Sequence, residues 1–417
     1  MLNILTIAIA APLHHYFDYL APTDFPLNQL KKGLRVLVPF GKQEKVGFLM
    51  ELSTTSERPL SQLRTAIAIL DKVPLLPDSI QRLLEWTSRY YHCPLGEVFA
   101  NALPNSLRVG KDFKNSLKKS PKIHAAKINS KKIVINTTTD GALAKIIQLN
   151  THQQQAIATI INSLGKFQAF LLNGVTGSGK TEVYLEAIQA VLDRGEQALV
   201  LVPEIGLTPQ MLERFQARFS VPLLLFHSRL TEKQRLEHWL LSKTGAASII
   251  IGTRSALFTP LLRPGIIIVD EEHDSSFKQQ NGLRYHARDL ALVRGRLENI
   301  PVILGSATAS LESVFNARQK RYQMLHLPER AGNALQPSFH FVDLRQQKLE
   351  QGFAPVLLQT MQKHLQNQGQ VLLFLNRRGF SPVTICHDCG WTADCQRCER
   401  KMTFHKKPAH LQCHYCG

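Results

Sequence analysis

Apolar and polar positions fall into three rhythms along this chain. Between 34 and 51, LRVLVPFGKQEKVGFLME alternates apolar and polar residues on either side of Gly41, which predicts two strands joined by a tight turn. The opening MLNILTIAIAAPLHHYFDYL reads as another strand; no Lys or Arg precedes its apolar stretch, as an export signal requires. SIQRLLEWTSRYY (79–91) has helical spacing. Residues 1–104 are therefore expected to form a small β-rich domain with a helical extension. From 148 to 340 the rhythm changes to short aliphatic runs between helical stretches: FQAFLLN, QALVLVP, ASIIIGT, GIIIVDE and IPVILGS. Strands that are apolar throughout are covered on both faces, so the predicted fold class is α/β with a parallel sheet. GQVLLFLNRRG (369–379) begins another such unit, and a cysteine-rich segment interrupts it.

Charge changes this picture. The 417 residues carry 50 Lys and Arg against 32 Asp and Glu, a net charge of +18. Such an excess points to a polyanionic partner, nucleic acid or an anionic membrane surface. No apolar run reaches the roughly 20 residues of a spanning helix. Residues 108–132 hold nine Lys or Arg and one acid, Asp112. They read as a solvated linker that can also touch phosphates. Without an export signal the chain is expected to be cytoplasmic. In that reducing setting C-x-x-C pairs point to metal rather than disulfides.

GVTGSGKT (174–181) follows a predicted strand and opens a predicted helix, the context a phosphate-binding loop needs. Gly174, Gly177 and Gly179 let the backbone wrap a phosphate, with Ser178 between them, and the helix N-terminus favours anions. Lys180 would reach the β and γ phosphates of ATP and Thr181 would hold Mg²⁺. IIIVDEEH (266–273) ends a buried strand in Asp270, which can hold Mg²⁺, and Glu271, which can polarise the attacking water. Lys180, Asp270 and Glu271 are the expected catalytic residues. In DSSFKQQNGLRYHARD (274–289), Phe277, Tyr285 and His286 alternate with Lys278, Arg284 and Arg288. The alternatives are aromatics stacked on DNA bases with cations on phosphates, or a helix face packed on the core; the Gln-Gln-Asn-Gly run favours a loop and DNA contact.

The last segment holds six of the seven cysteines: Cys386, Cys389, Cys395, Cys398, Cys413 and Cys416. The inner arrangement C-x₂-C-x₁₄-C-x₂-C fits a closed Cys₄ zinc site, leaving Cys386 and Cys389 without partners.

DEEH with GSAT (305–308) resembles the superfamily 2 helicases. Taken with GVTGSGKTEVY, LVPEIGLTPQ, FHSRLTEKQR, GTRSALFTP, LFLNRRGF and CHDCGWTADCQRCERKMTFH, the chain resembles the PriA family, which restarts bacterial replication. PLHHYFDYLAP and GLRVLVPFGKQEKVGF resemble that family's domain for a DNA 3′ end. The resemblance implies an ATP-dependent 3′→5′ DNA helicase. It would recognise stalled or abandoned forks and D-loops and start primosome assembly with PriB, DnaT, the replicative helicase and its loader, and single-stranded DNA-binding protein. A non-catalytic fork-binding loading platform is the alternative. Implied too are a RecA-like lobe at 148–340, the start of a second lobe at 341–385 and an incomplete zinc segment at 386–417. A 3′-end domain at 1–104 and a basic linker at 105–147, in place of a winged helix, precede them. By the same resemblance Gln153 reads adenine, Ser306 and Thr308 couple hydrolysis to motion, Phe17 and Asp18 line the terminal-nucleotide pocket, and Arg64 is a basic pocket residue. Ala309 stands where the family commonly has Pro. The family's zinc segment holds two Zn²⁺, the outer pairs sharing one, so the resemblance implies a truncated chain. Such a chain is expected to bind ATP but hydrolyse it poorly, lacking the second lobe's arginines.

Overall fold

The computed structural model describes residues 3–23, 25–109, 149–203, 208–330, 338–350, 352–374, 384–386, 388–396, 401–406 and 408–413. The expected linker at 105–147 therefore falls mostly outside the described residues, as do Cys398 and Cys416. The chain divides into two compact units, Met1–Leu335 and Gln336–Gly417.

The first unit begins with five antiparallel strands: β1 (Ile4–Ile9), β2 (Phe17–Leu20), β3 (Arg35–Phe40), β4 (Gln43–Ser53) and β5 (Ala68–Ile69). Their order is β2-β1-β4-β3-β5. The alternating stretch forms the expected hairpin, with Phe40 opposite Gln43 and Gly41 in the turn at φ +62°. A two-residue turn of this kind requires a left-handed backbone, which glycine adopts without a Cβ clash. Inward residues Leu5, Ile7, Val36, Val38 and Leu49 form the core of this sheet. Three helices follow: α1 (Asp78–Tyr90), α2 (Leu95–Ala102) and α3 (Asn105–Arg108). Ile80, Leu83, Leu84 and Thr87 give α1 its buried face at the i, i+3, i+4, i+7 spacing.

The rest of the unit alternates strand and helix. Its helices are α4 (Thr151–Ile161), α5 (Lys180–Asp193), α6 (Pro209–Arg218), α7 (Glu232–Lys243), α8 (Ala287–Glu298) and α9 (Leu311–Arg318). Its strands are β6 (Ala169–Gly174), β7 (Gln197–Leu201), β8 (Leu223–Phe226), β9 (Ile249–Gly252), β10 (Pro264–Asp270), β11 (Val302–Ser306) and β12 (Gln323–Leu327). All pair in parallel, in the order β12-β6-β11-β10-β7-β9-β8. The five aliphatic runs are the five central strands. The pattern missed β8 and β12, the two edges of the sheet. An edge strand is covered less completely: β12 (QMLHL) shows an exposed Gln323 and His326, whereas β8 (LLLF) is apolar throughout, a signal in VPLLLF that the reading passed over.

Along β10, Ile267 and Val269 face one core while Ile266 and Ile268 face the other, as the strand period of two dictates. The second core is closed by α4, α5 and α6. The first is closed by α7 and α8, and it also takes in Ile80, Leu83, Leu84, Val98 and Phe99 from α1 and α2. The N-terminal helices and the parallel sheet thus share one hydrophobic core.

The second unit holds α10 (Pro355–Gln366) and a hairpin, β13 (Thr403–Lys406) with β14 (Ala409–Gln412). Of the unit expected at 369–379, residues 369–374 form no strand, with Leu372 and Phe374 exposed, and 375–379 lie outside the described residues. A parallel strand is stable only between neighbours, and no ladder among the described residues reaches 369–374.

A buried ion pair fixes the first sheet. The Arg35 guanidinium donates from Nε and Nη2 to the two oxygens of Asp71, at 2.9 and 2.7 Å, and from Nη1 to the Leu107 carbonyl. Both side chains are buried. Removing one partner strands the other charge. Asp71→Ala is expected to lower stability by about 3–5 kcal/mol, read from urea unfolding followed by circular dichroism; a loss near that of an exposed substitution would show that the guanidinium finds other partners.

Candidate active site

Parallel strands deliver their loops to one edge of the sheet, so the phosphate loop after β6 and the acids after β10 come to the same rim, with β11 between them. Gly177 and Gly179 have φ of +79° and +78°, and Gly179 caps α5. A Cβ at Gly174 would collide with the Ser178 hydroxyl. Lys180 donates from Nζ to the Gly174 carbonyl at 3.1 Å, inside its own loop. Ser178 is buried and its hydroxyl has no partner among the described residues, the state of a donor at a loop built for an anion.

Gln153 is buried with both ends of its amide engaged. Its oxygen accepts from the Asn150 N–H in the cap of α4, and its nitrogen donates to the Ser178 carbonyl at 2.9 Å. The structure therefore places the expected adenine reader as a strut between α4 and the phosphate loop.

Asp270 ends β10 and accepts a hydrogen bond from the Tyr184 hydroxyl at 2.9 Å. Burial, then the charge of Glu271, raises its pKa above the ordinary carboxylate range, partly offset by Tyr184 and Lys180. Burial raises the Tyr184 pKa well above that of a free phenol, so it stays a donor. A Cβ at Gly305, on the intervening strand, would overlap that hydroxyl. Glu271 has φ +47°, a left-handed conformation that costs a residue with a Cβ about 1–3 kcal/mol. The strain thus sits on one of the two expected catalytic acids.

His273 joins the acids to the strand end of β11. Its Nδ1 lies 2.7 Å from the Ser306 hydroxyl and 3.6 Å from a Glu271 oxygen, and its Nε2 lies 3.3 Å from the Thr308 hydroxyl. Ser306 also accepts from the Thr308 N–H. Glu272 faces the other way and is wholly buried. It accepts from Arg288 Nη1, from the N–H and hydroxyl of Ser310, and from the Ser313 hydroxyl. Tyr184, Glu272 and His273 were not among the sequence candidates. The signal for Tyr184 was its place one turn after Lys180 on the same helix face.

The loop after these acids corrects the stacking expectation. Phe277 and Tyr285 are 0% and 2% exposed and belong to the shared core, so neither presents a face to a base. Arg288 is buried on Glu272 and Asp289. Arg254 Nη1 holds the loop by donating to the carbonyls of Ser276 and Lys278. Arg284 is exposed, and Lys278 donates to its carbonyl while lying 5.2 Å over the Tyr91 ring.

In the N-terminal sheet, Phe17 packs edge-on against Phe40 at 5.2 Å, and Arg64 donates to the Gly41 carbonyl at 3.2 Å, so both meet at the β3–β4 turn. The Asp18 carboxylate accepts from the hydroxyls of Thr6 and Ser56.

In the second unit, Cys386 and Cys389 lie in a tight turn in which the Gly390 N–H donates to the Cys386 carbonyl and Gly390 has φ +78°. Backbone N–H groups of Cys389 and Asp388 hydrogen-bond the Cys386 sulfur and lower its thiol pKa, the environment a thiolate ligand needs. Cys395 and Cys413 flank the β13–β14 hairpin, and Cys413 is buried. The seventh cysteine, Cys93, is different: burial pushes its thiol up to about 11.

Three family models match the chain: the 3′ DNA-binding domain (3′BD) of PriA over residues 6–104, the DEAD/DEAH box helicase over 150–317, and the PriA DNA helicase Cys-rich region over 395–417. The replication restart protein PriA of Haemophilus influenzae is 40% identical over 473 aligned residues, covering all of this chain and 64% of its own length. PriA of Rickettsia felis is 35% identical over 405 residues, covering 96% of this chain and 58% of its own. The chain thus spans 58–64% of the length of these relatives. Among solved structures, the Pyrococcus furiosus Hef helicase domain aligns over 45% of this chain and 39% of its own at 20% identity, with a TM-score of 0.35.

The Tyr184–Gly305 contact is testable without nucleotide. Gly305→Ala is expected to lower stability by about 1–3 kcal/mol through overpacking. Adding Tyr184→Phe, which removes the colliding hydroxyl, should recover most of that loss in thermal unfolding. A double variant no more stable than Gly305→Ala would place the clash elsewhere.

Proposed function

Since the chain belongs to the PriA family of replication restart proteins, we propose that it works as an ATP-dependent 3′→5′ DNA helicase that recognises abandoned forks and D-loops and starts primosome assembly in the cytoplasm. The observation that supports this most directly is the shared rim. Lys180, Asp270 and the His273–Ser306–Thr308 relay stand together in one unit that also holds the domain matched as 3′ DNA-binding. Its partners in this reading are forked and single-stranded DNA, single-stranded DNA-binding protein, PriB, DnaT and the replicative helicase with its loader.

ATP is the substrate of this rim. The loop N–H groups and the start of α5 take its phosphates. Lys180 exchanges the Gly174 carbonyl for the β and γ oxygens. Thr181 and Asp270 would hold Mg²⁺, which would supply positive charge against those phosphates. Glu271 orients the attacking water, and Gln153 keeps the loop in register and borders the adenine. His273 then links the state of Glu271 to Ser306 and Thr308, whose segment leads through Ser310 to α9, so loss of the γ phosphate reaches a helix that can move. In the N-terminal sheet, Phe17, Asp18 and Arg64 take the terminal nucleotide of a DNA 3′ end. Cys395, Cys398, Cys413 and Cys416 would hold one structural Zn²⁺, and Cys386 with Cys389 would provide half of a second site.

Two measurements test this reading. In a chain extended to the length of its relatives, Lys180→Ala should cut DNA-stimulated phosphate release by about 10²–10³-fold, the scale of losing one preorganised charge-stabilising donor, and unwinding should occur from a 3′ tail and not a 5′ tail. Unwinding from the 5′ tail would reject the polarity. For the metal, elemental analysis with thiol counting should give one zinc per chain and two reactive thiols, Cys386 and Cys389; two tightly bound zincs would overturn the pairing.

A further inference from the structure

A cavity of about 300 Å³ lies where α2 and α3 meet the parallel sheet. Its walls come from those two helices, the end of β8, the first two turns of α7, the segment after β9 and the loop after the catalytic acids. None of its residues belongs to α1, to the phosphate loop or to the acids Asp270 and Glu271. The volume is at the small end of ligand pockets, so it suits a small molecule and not a nucleic-acid strand.

Its interior is aromatic. Phe226, Trp239, Phe258 and Tyr285 line it, each 3% exposed or less, and Phe258 meets Tyr285 edge-on at 5.0 Å. Two buried polar groups stand among these rings. Trp239 is 2% exposed, and its indole N–H has no partner among the described residues. Thr259 is 3% exposed, and its hydroxyl makes no hydrogen bond among the described residues. A buried donor without a partner is costly, and a ligand that brings an acceptor removes the cost.

The charged residues of the lining are two cations, Arg108 and Arg235, and one acid, Glu232. Arg108 donates from Nε to the Leu103 carbonyl at 2.9 Å, and Arg235 from Nη2 to the His227 carbonyl at 3.0 Å, so both guanidiniums are tethered. Partial burial lowers the Arg108 pKa, Glu232 raises it and Arg235 lowers it again, so the three charges stand within reach of one another. Glu232 already accepts from the Asn105 side-chain amide at 3.0 Å. One positive charge is left over. A carboxylate matches it and fits a guanidinium fork. A phosphate ester carries about 1.5–2 negative charges at neutral pH and overbalances it.

We propose that this cavity binds a small aromatic monocarboxylate, its flat body among the four rings and its carboxylate on Arg108, Arg235 and the Trp239 N–H. The site stands apart from the helicase reading, since it needs neither ATP nor DNA. A ligand there would join α3 to the loop that carries Gln279 and Tyr285. Just beyond Tyr285, the His286 N–H donates to the Tyr91 hydroxyl at 3.1 Å, so the same loop is already tied to the end of α1.

The test is calorimetric titration of the full 417-residue chain with 2-naphthoate. One site per chain is expected, with a Kd below about 1 mM. The neutral isostere 2-naphthalenemethanol should bind about 10- to 100-fold more weakly, the worth of hydrogen bonds to a charged group. Arg108→Gln, at an exposed position, should weaken naphthoate by a similar factor and leave the alcohol unchanged. Trp239→Phe keeps a ring but removes the N–H, and should also weaken naphthoate; Arg235→Gln serves if that variant does not fold. Tighter binding of 2-naphthyl phosphate than of naphthoate overturns the carboxylate assignment. No naphthoate binding at about 1 mM, or binding that survives both arginine variants, overturns the site, while DNA-stimulated phosphate release is the separate measure of the helicase reading.

Discussion

A parallel sheet covered on both faces leaves no room for polar side chains except at the ends of its strands. The rest of the first unit follows from that constraint. Chain direction puts every loop after a strand at one rim, and strand order sets which loops meet there. Because β11 lies between β6 and β10, Ser306 stands between the phosphate loop and the acids, and His273 has only to turn sideways to reach it. Tyr184 comes across from α5 to Asp270 over β11, and the residue beneath it is glycine because any side chain would displace the hydroxyl. Glu272 takes the remaining direction, inward, where a buried carboxylate is tolerated because four donors surround it.

The architecture was legible where periodicity is strong. The hairpin around Gly41, the helix at α1 and the five central strands were each written in the spacing of apolar residues. The edge strands were not: β12 is half-polar, and β8, though apolar and as long as β9, was passed over. At 369–374, the described start of the unit expected at 369–379, an apolar run pairs with no neighbour among the described residues and forms no strand.

Site residues divide along similar lines. The placement of Gly174 to Thr181 at a strand–helix junction and of Asp270 with Glu271 at a strand end could be read because both depend on local sequence order. Phe277 and Tyr285 misled because aromatic and basic residues alternate in both core-packing and base-stacking segments, and only tertiary burial separates the two. Glu272 and His273 were overlooked beside more familiar acids, as their roles depend on Ser310, Ser313, Ser306 and Thr308, more than thirty residues away in sequence.

The bond between Tyr91 and position 286 is made to a main-chain N–H. Every amino acid except proline supplies that donor, whereas the acceptor exists only while position 91 keeps its phenol. The two ends of the link therefore differ in how freely they can drift. Position 286 can change side chain and leave the connection intact, but a change at Tyr91 severs it. A linkage of this form lets the loop diversify toward new substrates while the joint to the N-terminal domain stays the same.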